Sequence, residues 1–409
     1  MPSITKSLFN GRMLMLLGLG ISSGLPLLLT GSTLKYWMKE AQVDLTVIGI
    51  FALVGLPYTL KFVWAPLMDR YTLPFLGRRR GWIVLTQVGV ALGLCGLAGS
   101  NPLAAPWATA AAAFVVAFLA ASQDIAIDAY RREILTDEEQ GLGASLGVNG
   151  YRIGMLIAGG GALALADQLS WQHVYFCMAG IMVIMVGITL LSPEPEASAK
   201  APRTLTEAVV QPFVEYFRRP GAIEILIFIL LYKIGDSMAS DMFSPFYVDM
   251  GFEKLQIAAI AKGFGFAATI LGGLLGGIVM LRLGVFRSLW IFGILQAVST
   301  FGFSVQALYG NSLALLTGVI AFENLSSGMG TAAYAGYMAA LCDRRYTATQ
   351  YALLSSLMGV PRVFLGSSSG YLAKHMGWST YFLFCTVIAI PGLLFLFRVK
   401  RWEKAPANV

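Results

Sequence analysis

The stretch "SQDIAIDAYRRE", Ser122 to Glu133, follows the apolar run "WATAAAAFVVAFLAA" and places two carboxylates, Asp124 and Asp128, four residues apart. On a helix that spacing puts both acids on one face. Near the middle of a spanning helix an acid costs about 2.5 to 3.5 kcal/mol on insertion scales. A cation, a hydrogen-bond donor or a proton has to offset that cost. Asp128 is three and four residues from Arg131 and Arg132, within reach of local ion pairs, which suits a structural or gating role. Asp124 lies about 10 Å from Arg131 at 1.5 Å per residue. It needs a partner on another helix or a proton, so it is either a coupling or substrate site or half of a buried salt bridge.

Other residues able to do chemistry fall in similar apolar settings. "LYKIGDSMASD" carries Lys233 and Asp236 at i,i+3, with Asp241 beyond. The pair either neutralises itself or releases Lys233 to an anion. "AFENLSSG" carries Glu323 and Asn324, "LPYTLKFVW" carries Lys61, and Lys262 lies in a further apolar run. Arg152 in "GYRIGML" and Arg362 in "GVPRVFLGSSSG" hold similar places in the two halves of the chain. Each either meets an anionic substrate or pairs with an acid or a helix-end carbonyl, and Lys61 divides the same way. Tyr36, Trp37, Tyr58, Trp64 and Tyr232 suit stacking on sugar faces and anchoring at a lipid interface equally well. No Ser-His pair, HExxH or phosphate loop occurs, and Lys233-Ile-Gly-Asp236 lacks the first glycine of the intramembrane aspartyl-protease motif. His173 and His375 stand outside the polar positions, and the four cysteines lack metal-ligand spacing. The expectation is neither an enzyme nor a cofactor or metal protein.

The elements that position these residues follow from composition. Of 409 residues 57% are hydrophobic and 12% charged, about half the charge of a soluble domain, so this is a polytopic membrane protein. Spans need about 20 residues each. Twelve are predicted, at 12–36, 46–66, 81–99, 106–130, 141–165, 172–191, 222–247, 255–280, 287–308, 312–340, 348–372 and 378–397. The apolar start has no signal-cleavage site, so the first span is retained. Of the 29 Lys and Arg, only Lys35, Lys39, Lys254 and Lys374 fall in loops opposite the termini. By the positive-inside rule both termini are cytoplasmic. The basic balance is therefore topological, and no nucleic-acid partner is expected. Residues 192–221 divide the chain into six-helix halves, 1–191 and 222–409. They begin as a polar tether, "SPEPEASAKAP", and continue as "TLTEAVVQPFVEYFRR", where Thr204 and Glu207 have capping-box spacing on an amphipathic surface helix.

Spans 3, 6 and 12 contain no Asp, Glu, Lys or Arg and span 9 has only Arg287 at its cytoplasmic edge, whereas spans 2, 4, 5, 7, 8, 10 and 11 carry such residues further in. Outer helices around a polar, water-filled path produce that period, since intramembrane charges face water or each other. Two six-helix repeats describe one large class of secondary transporters.

"DRYTLPFLGRRRG" resembles the loop signature of the major facilitator superfamily, and "GGIVMLRLGVFR" keeps Gly277, Arg282, Gly284 and Arg287 but has Leu281 where an acid is common. In that superfamily the signature forms a cytoplasmic charge lock. The resemblance assigns the gate here to Asp69, Arg70 and Arg78, with Asp128 and Arg131 beside them, and makes the second copy weaker. "SGLPLLLTGSTLKYWM", "KFVWAPLMDRYTLPFLGRRRGW", "SQDIAIDAYRR", "GYRIGML", "LYKIGDSMA", "FENLSSGMGTAAYAG" and "TATQYALLS" resemble the AmpG family of muropeptide permeases across nearly all twelve spans. Some members carry further C-terminal helices, whereas this sequence stops at "KRWEKAPANV". The resemblance implies an all-α, major-facilitator-type protein of the Gram-negative inner membrane that acts as a monomer. It imports anhydro-muropeptides with the proton-motive force, which supports wall recycling and, where the circuit exists, β-lactamase induction. Protons are then expected on Asp124, Asp236 or Glu323, and cargo on Gln123, Lys61, Arg152, Lys233, Asn324 and Arg362. The alternatives are a facilitator of the same fold with a siderophore or acyl-coenzyme A cargo, and a wall-fragment sensor that does not transport.

Overall fold

The computed structural model describes residues 11–74, 76–195 and 204–399. The basic start, tether residues 196–203 and the tail "RWEKAPANV" lie outside the described residues. Among the described residues helices occupy all twelve predicted spans, and the one strand-like feature is an isolated bridge between Leu73 and Gly77.

Several spans are interrupted. α1 runs as Gly11–Thr30 and Ser32–Glu40. α2 (45–70) is split by two 3-10 turns, Phe51–Gly55 and Lys61–Val63, in a stretch where Pro57 and Pro66 each remove a backbone donor. α3 is Arg78–Ala98 and α4 Pro106–Ile134. α5 (140–166) contains a π-bulge at Ile157–Gly161, and α6 is Trp171–Leu191. A linker helix, Leu205–Arg218, starts with the Glu207 amide donating to Thr204 Oγ1 at 3.0 Å. α7 (222–249) breaks at Lys233 into Ala222–Tyr232 and Ile234–Asp249. α8 (254–283) has a π-bulge at Ala258–Phe264. α9 is Val285–Tyr309, α10 Leu313–Leu341, α11 Thr347–Met376 and α12 Trp378–Val399.

Eight helices among the described residues are long and apolar enough to cross a membrane unaided, namely α1, α3, α4, α6, α8, α9, α10 and α12. The other four are polar or broken: Lys61 and Lys233 sit at breaks in α2 and α7, Arg152 precedes the bulge of α5, and α11 is continuous but serine-rich. On α6 Phe176, Val183 and Leu190 are exposed at seven-residue steps, and helices 3, 9 and 12 expose apolar side chains at three- and four-residue steps. Leu85, Val88 and Leu92 do so on α3, Ile291, Ile294 and Val298 on α9, and Val387, Ile390 and Leu394 on α12. Such stripes suit a lipid-facing position.

The chain divides into two compact units, Met1–Pro212 with Ala339–Ser356, and Phe213–Met338 with Leu357–Val409. In the first, α1 and α5 touch backbone to backbone. A Cβ on Gly24 would stand 2.0 Å from the Tyr151 carbonyl oxygen, and one on Gly150 2.1 Å from that of Leu17. In the second, α8 and α10 meet the same way at Gly272 and Gly328. Where lipid is as apolar as leucine, such close approach is what drives helix pairing.

Each unit repeats the other's fastenings. Trp171 at the start of α6 donates to Glu40 at 2.6 Å, and Tyr175 to the Leu29 carbonyl at 2.7 Å. Trp378 at the start of α12 donates to Asp249 at 3.0 Å, and Tyr381 to the Met238 carbonyl at 2.7 Å.

Candidate functional site

Asp124 is buried on α4, and its carboxylate accepts the Ser23 hydroxyl of α1. Next to it Gln123 is fully buried and donates to Ser22 at 3.0 Å. Ser22 also receives Gln87 of α3, whose own oxygen accepts Thr189 of α6 at 2.8 Å. This chain ties α1, α3, α4 and α6 together, so Gln123 braces the helix that carries Asp124. One turn on, Asp128 lies 3.8 Å from Lys61 Nζ and 3.3 Å from Arg131 Nη2. Arg131 donates in turn to the Tyr351 hydroxyl at 2.7 Å and covers that ring at 5.2 Å. The local pairing expected of Asp128 is thus present, and Lys61 joins it. Arg152 is half-buried on α5, and the side chain of Arg362 lies outside the described residues.

At the α2–α3 junction the buried charges converge on Arg79 rather than on Arg70 or Arg78. Arg79 is fully buried and bonds Asp69 at 2.8 Å, Glu133 at 2.5 Å and the Met68 carbonyl at 3.1 Å. Arg78 takes the outer position, 3.0 Å from Glu133, and Arg70 lies over the Tyr71 ring. Asp69 also accepts the amides of Ala348 and Thr349 at 3.2 and 2.8 Å and the Thr349 hydroxyl at 2.7 Å. A carboxylate there satisfies unbonded amides in the first turn of α11 and meets the positive end of its dipole. These bonds, with Gln350 donating to the Pro212 carbonyl, hold segment 339–356 in the first unit. Glu194 does for α3 what Asp69 does for α11, accepting the Arg79 and Arg80 amides at 2.8 and 2.9 Å.

In the second unit, Asp236, Glu323 and Asn324 line a cavity of about 290 Å³ with Ser240, Ser244, Ser327, Phe243, Tyr247 and Ala261. Lys233, buried at the break in α7, donates to Asp236 at 2.9 Å. Glu323 accepts Ser299 at 2.5 Å and shares the cavity lining with Asp236. Asn324 accepts Thr269 at 2.6 Å and donates to Ile320. The three predicted residues of α7 and α10 are therefore neighbours in one polar cavity within an apolar unit. It can hold a small polar group or one end of a larger ligand, since its volume is at the bottom of the range for ligand pockets.

Sequence reasoning missed Ser23, Arg79, Glu133, Glu194, Thr349 and Tyr351. Ser23 was visible as half of a serine pair in apolar α1, and Thr349 and Tyr351 lie in "TATQYALLS".

A polar interior within helices that repeat by halves defines a transporter of the major-facilitator type. The model of the Major Facilitator Superfamily matches residues 12–366. The Escherichia coli fucose:proton symporter FucP has a similar structure, with TM-score 0.72 at 13% identity over 94% of this chain and 98% of that one. The anhydromuropeptide permease of Escherichia coli K12 is 45% identical over 387 residues, 94% of this chain and 79% of the relative. A putative transporter of Rickettsia conorii, AmpG 4, is 37% identical over 96% of this chain and 97% of the relative. The chain belongs to the AmpG family of the Major Facilitator Superfamily.

Proposed function

We propose that the protein imports anhydro-muropeptides, GlcNAc-anhydro-MurNAc with or without a peptide, across a Gram-negative inner membrane. The observation that carries this reading is the 45% identity, over nearly the whole chain, to a permease named for that cargo. The protein works as a monomer with both termini in the cytoplasm, by alternating access. Its import serves wall recycling and, where the circuit exists, induction of a β-lactamase.

The driving force is a proton gradient. Asp124 is the coupling acid of the first unit, with Ser23 as its donor and Gln123 bracing its helix. The Asp236–Glu323 pair is the acidic centre of the second unit. Lys61, Arg152, Lys233 and Arg362 are the cations available to cargo carboxylates, and Asn324 offers an amide to its sugars. On the cytoplasmic side Asp69, Arg79 and Glu133, flanked by Arg70 and Arg78, form the gate with Asp128 and Arg131. Release of segment 339–356 from these residues accompanies opening to the cytoplasm, because a buried charge that loses its partner needs water or a new one.

Uptake of labelled GlcNAc-anhydro-MurNAc into proteoliposomes tests this, with wild type and Asp124→Asn each assayed with and without an inward proton gradient. The expected result is gradient-driven accumulation in wild type, with Asp124→Asn binding the cargo but not accumulating it. Coupled uptake by the variant overturns the role of Asp124, and absence of uptake by folded wild type overturns the cargo.

A further inference from the structure

We infer that the cavity lined by α7, α8 and α10 is the subsite for the GlcNAc ring of the cargo, and that the anhydro-MurNAc end, with its carboxylate, binds outside it. The inference rests on the cargo reading above for the name of the sugar. The class of ligand, an uncharged pyranose with free hydroxyls, follows from the cavity itself.

The cavity measures about 290 Å³, whereas pockets for drug-sized ligands run from about 300 to 1,000 Å³. It therefore takes one ring of the disaccharide and leaves the rest of the cargo outside. Phe243, Tyr247 and Ala261 give it an apolar wall. The Phe243 ring is backed by Phe303, with centroids 4.3 Å apart, and so is held as a fixed plate. A glucose-configured ring carries its hydroxyls at the equator, and its two faces are C–H surface that packs on such a plate.

The remaining wall is polar and only partly bonded. One oxygen of Asp236 accepts Lys233 and one of Glu323 accepts Ser299, and no donor among the described residues takes the second oxygen of either. The hydroxyls of Ser244, Ser327 and Tyr247 also have no partner among the described residues. Asn324 uses one N–H on the Ile320 carbonyl and keeps the other. The open groups are thus two carboxyl oxygens that accept, one amide that donates and three hydroxyls that do both.

The two ends of the cargo differ in what they offer such a wall. In anhydro-MurNAc the oxygen on C3 carries the lactyl ether, that on C4 carries GlcNAc, and those on C1 and C6 close the anhydro bridge. That ring has no free hydroxyl. GlcNAc keeps its hydroxyls on C3, C4 and C6, so every ring hydroxyl of the disaccharide is at the GlcNAc end. Charge points the same way. Two acids line the cavity, and among the described lining residues no cation does, Lys233 being held by Asp236. A cargo carboxylate placed there would be a buried charge without a partner. A site built to hydrogen-bond hydroxyls also discriminates strongly against a ring that lacks them.

Protection of a thiol tests this. Ser244→Cys puts one on the cavity wall of the full-length protein, where none of Cys95, Cys177, Cys342 and Cys385 stands, and Ser240→Cys is the second reporter if the first does not fold. GlcNAc-anhydro-MurNAc at ten times its Kd should slow alkylation by a small maleimide about tenfold. Methyl β-N-acetylglucosaminide should do the same at higher concentration. The disaccharide galactosylated on the C4 hydroxyl of GlcNAc, which overfills the cavity, should not protect, nor should anhydro-MurNAc alone or ethylammonium. Equal protection by the plain and galactosylated disaccharides overturns the inference, as does protection by anhydro-MurNAc or ethylammonium in place of the glycoside. An unprotected thiol in protein that binds the disaccharide by calorimetry overturns it too. Protection by the glycoside in protein that does not bind the disaccharide keeps the subsite and overturns the cargo, and absence of protection by every saccharide with no binding overturns both.

Discussion

The Asp69 carboxylate at the end of α2 accepts both the amide and the hydroxyl of Thr349, at 2.8 and 2.7 Å, while its other oxygen bonds Arg79 at 2.8 Å. One fully buried acid therefore closes the first turn of α11 and neutralises the arginine. The expected outcome of Asp69→Asn is loss of protection in segment 347–351. An N-cap is worth about 0.5 to 2 kcal/mol, so amide exchange at Ala348 and Thr349 should speed up by roughly threefold to thirtyfold. Arg79 keeps Glu133 as a partner, so the protein should still fold. Unchanged exchange in the variant would mean that the first turn of α11 stands without Asp69.

Gly77 and Gly284 precede α3 and α9 in the same left-handed backbone, with φ of 84° and 77°. They differ in what fills the helix start. At Gly77 a Cβ would stand 2.5 Å from the Glu194 carboxylate, whereas at Gly284 nothing lies within 4 Å. Gly284→Ala should cost only backbone strain, about 1 to 2 kcal/mol. Gly77→Ala should cost that and the Glu194 cap, a further 1 kcal/mol or so. Thermal midpoints in detergent decide it. Equal losses would show that Glu194 contributes little.

The twelve spans were legible because burial in lipid is governed by composition, which a sequence displays directly. The every-third-helix pattern was legible for the same reason. Breaks at Lys61 and Lys233 were not, since a 3-10 turn or a kink depends on how neighbours take up freed backbone groups. The burial of Arg79 rather than Arg78 has a similar origin. Three consecutive arginines differ only in the direction each faces around the helix, and the first turn of α3 turns Arg79 inward. Glu194 was hidden because "SPEPEASAKAP" reads as a polar tether, and nothing local says that its first acid lies on the α3 amides. Tyr351 is 220 residues from Arg131, a pairing that no local pattern encodes.

Arg131 meets Tyr351 in two ways, through the hydroxyl at 2.7 Å and across the ring at 5.2 Å, and two variants separate them. Tyr351→Phe removes a hydrogen bond from a buried guanidinium and should cost about 1.5 to 3 kcal/mol. Tyr351→Ala also empties a buried site and should cost about 3 to 5 kcal/mol. Both are read as falls in unfolding midpoint. A Phe variant as stable as wild type would show that Asp128, 3.3 Å away, satisfies Arg131 alone.

Asp137, in the loop between α4 and α5, is held below the ordinary carboxylate range, first by the hydrogen bond from Arg132 at 2.6 Å and further by the charges of Arg132 and Arg344. A depressed carboxylate stabilises the fold above its unfolded pKa of about 3.9, and the effect is lost as pH falls through the lower folded value. Because the Asp137 side chain is 77% exposed, solvent screens the pair and the effect is small. Asp137→Asn should therefore unfold at a slightly lower temperature than wild type at neutral pH. The gap should narrow once pH drops below about 4, and added salt at neutral pH should narrow it as well. A gap that widens on acidification would reverse the sign of this contribution and detach Asp137 from Arg132.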